Sequence, residues 1–62
     1  MLIRKIEKFL RRTGMTATEF GLLTMRDPRF VADLRRGREP RFTTESQVEH
    51  FMNTFQDASH AR

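Results

Sequence analysis

Four helices closed around one small core, in a single all-α domain spanning residues 1–62, is the architecture this sequence predicts. Three features predict it. Apolar residues recur at three- and four-residue spacing over most of the chain. Residues that start and stop helices stand between those stretches. The composition, 37% hydrophobic and 32% charged, belongs to a folded soluble domain and not to a disordered tail.

The first helix is expected over residues 2–12, where Leu2, Ile3, Ile6, Phe9, Leu10 and then Thr13 form an apolar stripe and Gly14 supplies the stop. Its other positions carry Arg4, Lys5, Lys8, Arg11 and Arg12. A basic amphipathic helix also suits a membrane surface, but so small a chain needs the stripe for its own core.

The second helix is expected over residues 17–24. Thr16 and Glu19 have capping-box spacing, with Met15 and Phe20 at the staple positions around them. Phe20, Leu23 and Thr24 are read as inward. Gly21 costs about 1 kcal/mol relative to alanine in a helix interior, so it either admits a close neighbour or is a flexible spot; the capping box favours the first reading. Met25 and Arg26 form a link so short that the second and third helices must pack directly at a steep angle.

The third helix is expected over residues 28–36 and organises the rest. Asp27 offers a cap, Pro28 suits the first helical position, and Gly37 supplies the left-handed stop. Phe30, Val31 and Leu34 fall on one arc; Arg29, Ala32, Asp33 and Arg36 share the other. Ala32, small and central on the polar arc, allows close approach to a surface while the arginines reach past it. Such a helix fits the major groove of B-DNA, where guanine presents two acceptors to a guanidinium.

Arg38, Glu39, Pro40 and Arg41 then form an extended stretch. Arg38 and Arg41, flanking the reading helix, are placed either for phosphates or as solvated loop charges. The fourth helix is expected over residues 44–56, with a second capping box at Thr44 and Gln47 and a stripe of Val48, Phe51, Met52 and Phe55. Phe55, furthest along, is a candidate for a partner chain together with Met52. Residues 57–62 lose the periodicity and are expected to fray.

The net charge is +4, in two blocks. Residues 1–14 carry five cations against Glu7, and residues 26–41 carry six against Asp27, Asp33 and Glu39, while residues 42–62 are acidic on balance. A polyanionic partner is indicated. There is no cysteine, hence no disulfide and no thiolate metal site, and no apolar run of spanning or signal-peptide length, so the chain is read as cytoplasmic. His50 and His60 have no metal-type spacing, and neither a nucleophile motif nor a phosphate-cradling loop is present, so catalysis, a cofactor and a small-molecule ligand are not expected.

The stretch MTATEFGLLTMRDPRFVADLRRGREP resembles the helix-turn-helix core of small phage-type repressors, the Cro and lambda repressor class. Phe20-Gly21, Val31, Leu34 and Gly37 stand without a gap at that family's packing positions, over about 25 of the 62 residues. Ala17 replaces a glutamine often found there, and Met25 stands where the turn often has glycine. The resemblance implies a bacterial or phage-encoded regulator and places base contacts at Pro28, Arg29, Ala32 and Asp33; the helical wheel adds Arg36. Asp33 is read either as a cytosine acceptor or as a brace on Arg29. Thr16, Thr18, Arg26, Arg38 and Arg41 are the candidate phosphate contacts.

The expected function is therefore sequence-specific binding of double-stranded DNA, repressing by site occupancy as a homodimer whose two reading helices lie about 34 Å apart. One alternative is a protein-protein adaptor on the same scaffold, of antitoxin-like or phage-inhibitor type, binding an acidic protein surface. Another is non-specific nucleoid or RNA binding. With Tyr and Trp absent and all six Phe assigned to core stripes or helix starts, a single-strand stacking platform is disfavoured.

Overall fold

The structure, a computed structural model, describes residues 1–55; the segment expected to fray, 57–62, lies outside the described residues. The fold is all-helical, as the periodicities predict, with α1 at Leu2–Thr13, α2 at Ala17–Met25, α3 at Phe30–Arg35 and α4 at Phe42–Thr54. None of these helices is long and apolar enough to cross a membrane.

The core is built from the expected stripes. Leu2, Ile6, Phe9 and Leu10 of α1 meet Phe20 of α2, Phe30, Val31 and Leu34 of α3, and Val48 of α4. Phe9 is its hub: its ring lies edge-on to Phe20 at 5.5 Å, Phe51 at 6.0 Å and Phe55 at 5.3 Å between centroids. Such pairs add about 0.5–1.5 kcal/mol each to the burial itself. Thr24, the buried polar residue of α2, satisfies its hydroxyl by donating to the Phe20 carbonyl at 2.8 Å.

Local signals fix the start of α2. The Thr16 side chain accepts the Glu19 N–H at 3.1 Å, and Met15 packs against the core. The helix ends at Arg26, whose N–H reaches the Leu22 carbonyl at 3.1 Å and whose φ of 55° lies in the left-handed region. The left-handed position is thus Arg26 and not Met25. An L side chain is disfavoured there by about 1–2 kcal/mol. Arg26→Gly is therefore expected to stabilise the domain by about 0.5–1 kcal/mol after the greater freedom of the unfolded chain is counted, read as a rise in the urea midpoint.

Several expectations are corrected. The helix expected over 28–36 is shorter, because Pro28 and Arg29 occupy a turn: the Asp27 carboxylate accepts the Arg29 N–H at 2.9 Å and the Asp27 carbonyl accepts the Phe30 N–H at 3.1 Å. Leu23 is 56% exposed, since the buried face of α2 is Phe20, Gly21 and Thr24 and Leu23 lies on its flank. Thr44 and Gln47 form no cap. Helix α4 starts at Phe42 after an Arg41 with no capping side chain, and Gln47 donates from Nε2 to the Thr24 carbonyl at 3.2 Å, tying α4 to the end of α2. Phe42 starts that helix without packing, at 79% exposure.

Candidate nucleic-acid interface

Helices α2 and α3 are the most closely packed pair, joined by the four-residue link 26–29. Gly21 makes the approach possible. A Cβ at this position would overlap the Asp27 carbonyl oxygen and sit 3.3 Å from Phe30 Cβ. The Asp27 N–H in turn donates to the Gly21 carbonyl at 3.1 Å. The link is stitched to α2 at the one residue without a side chain, and this sets the direction in which α3 leaves.

With Phe30, Val31 and Leu34 buried, α3 turns Ala32 and Arg36 to solvent, and Pro28 and Arg29 are exposed on the turn before it. The helix closes in a Schellman motif. Gly37, at φ 105°, donates to the Leu34 carbonyl at 3.0 Å, and the Arg38 N–H donates to the Asp33 carbonyl at 3.1 Å. Arg38 then folds its guanidinium back, Nη1 lying 3.1 Å from Asp33 Oδ2. Asp33, half-buried, therefore braces Arg38 and not Arg29. The pair neutralises the carboxylate on the exposed face and holds Arg38 beside the end of α3. Thr16, Thr18, Arg26 and Arg41 are exposed, while Met52 and Phe55 are half-buried on α4 and at its end, packed against the core.

Among the described residues, two ion pairs tie α1 to its neighbours, and local patterns gave no sign of either because the partners are far apart in the chain. Arg35 grips Glu7 with both prongs, Nε to Oε2 at 2.7 Å and Nη2 to Oε1 at 2.9 Å. Lys5 Nζ meets Glu49 Oε2 at 2.9 Å on α4. The hydrogen bond from Arg35 holds the Glu7 carboxyl below the usual carboxylate range, against the opposing effect of desolvation, and Arg11 adds to the lowering. The same bond raises Arg35, and the bond to Glu49 raises the Lys5 ammonium.

A carboxyl lowered in the folded state contributes fully above its unfolded pKa and loses that contribution as pH falls through the folded value. Stability is accordingly expected to fall on acidification, starting near the unfolded glutamate pKa of about 4.3 and continuing as pH drops through the lowered folded value of Glu7. The pair is half-exposed and screened, so the loss is at most about 1 kcal/mol. Glu7→Gln should lower the melting temperature at pH 7 and flatten its decline on acidification, as followed by circular dichroism.

Comparison of the chain with protein-family models, with curated proteins and with solved structures gives no match.

Proposed function

We propose that this chain is a sequence-specific double-stranded DNA-binding regulator, a repressor acting by site occupancy, in which α2 and α3 serve as a helix-turn-helix pair and two copies read two half-sites. The observation that carries the reading is the face built by the turn and α3. Arg29 and Arg36 flank the small exposed Ala32, and the acid on that face, Asp33, is neutralised by Arg38. A six-residue helix is about 9 Å long and enters a major groove about 12 Å wide end-on or along its axis. In this reading Arg29 takes a guanine, and Ala32 lets the helix backbone approach the base edges. Arg36 reaches the next step, and Thr16, Thr18, Arg26, Arg38 and Arg41 hold the phosphates on either side.

The test is selection from a pool of random duplex DNA at about 0.15 M salt, with Arg29→Ala alongside. The expected outcome is an enriched palindromic site that the Arg29→Ala protein no longer prefers. Arg41→Ala should weaken every sequence alike and flatten the salt slope by about one unit. Retention of all sequences equally would leave a non-specific binder, and no retention would end the DNA reading.

A further inference from the structure

A second surface lies between α1 and α4. The cleft has a volume of about 730 Å³, in the size range of ligand and peptide sites, and no residue of the 26–41 stretch lines it. Its floor is apolar: the Phe9 ring, core hub and 4% exposed, and the half-buried Met52. Its rim is cationic. Lys8, Arg11 and Arg12 stand around it, with the Arg12 guanidinium 5.3 Å from the Phe9 ring centroid. The acid in the lining, Glu49, is already held by Lys5. Neither Lys8 nor Arg11 is ion-paired with an acid among the described residues.

We propose that this cleft binds an acidic amphipathic peptide segment of a partner protein, its apolar side chains on Phe9 and Met52 and its carboxylates on Lys8 and Arg11. The combination of floor and rim selects this occupant. An apolar side chain laid on the floor gains from covering Met52 and the methylene stems of Lys8 and Arg11, with little added by the already buried Phe9, and the polarizable Met52 thioether adapts to its shape. Carboxylates spaced one helical turn apart meet cations carried at the same spacing on α1. A second copy of this chain docked here would bring two cationic rims together, a repulsive arrangement, which leaves Phe55, outside this lining, as the candidate for a contact between copies. A duplex gains nothing from a Phe-Met floor, because a row of phosphates has no apolar group to bury there.

The probe is a labelled amphipathic peptide of about four helical turns made of leucine and glutamate, titrated at about 0.15 M salt and followed by fluorescence anisotropy and by the Met52 methyl resonance. Binding in the range of tens of micromolar is expected, with the Met52 methyl shifting in step. Lys8→Gln with Arg11→Gln should weaken it at least about tenfold, while the equal charge change of Arg4→Gln with Thr43→Glu, outside the cleft, should alter it less than about threefold. Equal weakening by the two double variants would reduce the interaction to net charge and overturn the proposal. So would equal binding of the lysine-for-glutamate peptide, an unmoved Met52 methyl, or displacement of the peptide by phosphatidylglycerol vesicles or by random duplex DNA. The proposal does not depend on the DNA reading, since its readouts lie on α1 and α4.

Discussion

Gly21→Ala is expected to destabilise the fold, lowering its urea midpoint and populating the unfolded chain at 25 °C. Two effects of this methyl group oppose each other. In a helix interior, alanine is better than glycine by about 1 kcal/mol, so if position 21 were a mere flexible spot the substitution would stabilise α2. Against this stands the Asp27 backbone, whose carbonyl oxygen occupies the space the methyl needs. That carbonyl cannot simply retreat, because it accepts the Phe30 N–H at 3.1 Å while the Asp27 N–H holds the Gly21 carbonyl at 3.1 Å. Relief requires moving the link and α3 away from α2, which opens the packing of Phe20 against Phe30 and Val31.

Overpacking a well-filled interior costs about 1–3 kcal/mol, and more where backbone must shift. A core of this size supplies about 3–5 kcal/mol in all. The steric effect therefore wins. Far-ultraviolet circular dichroism with a urea titration decides the sign: a raised midpoint for Gly21→Ala would place the link away from α2 and undo the account of how α3 is aimed.

The same contrast explains what could be read in the sequence. Where one pattern has one physical outcome, the reading holds. The stripe of Leu2, Ile6, Phe9 and Leu10 is buried, Thr16 caps α2, Phe30, Val31 and Leu34 face inward, and Gly37 is left-handed. Where a local pattern serves two outcomes, it misleads. Asp27-Pro28 fits the first turn of a helix and equally the first half of a β-turn, because the φ of proline suits both; the bonds to Arg29 and Phe30 select the turn.

Leu22 and Leu23 lie on either side of a buried strip only wide enough for Phe20, Gly21 and Thr24, so adjacent leucines of equal hydropathy gave no clue that both would be about half exposed. Gln47 has the spacing of a cap, yet a carbonyl at the end of another helix, 23 residues away in the chain, takes its hydrogen bond. The candidate site divides in the same way. The exposure of Ala32 and Arg36 followed from periodicity, whereas Arg29 is exposed on a turn outside the helix and the partner of Asp33 depended on how the chain turns after Gly37.

Ala32→Glu is expected to reduce affinity for the selected DNA site by about a hundredfold, roughly 2.7 kcal/mol, without loss of stability. Ala32 is exposed at the centre of α3, so the longer side chain meets solvent in the free protein, and glutamate is a good helix former. In the proposed complex the same side chain comes between α3 and the base edges. There it adds bulk where the backbone must approach closely, and its carboxylate faces a groove lined by phosphates. The size of the effect separates the position from its neighbours. Removing Arg29 deletes one base contact, worth about 1–3 kcal/mol and confined to one base step. Glutamate at 32 keeps the whole face from seating and should weaken specific and non-specific duplexes together. Peptide binding at the α1–α4 cleft, remote from Ala32, should be unchanged in the same protein. Retained DNA affinity with an unaltered melting temperature would show that α3 does not enter the groove, and would leave the cationic blocks of this chain holding phosphates without reading bases.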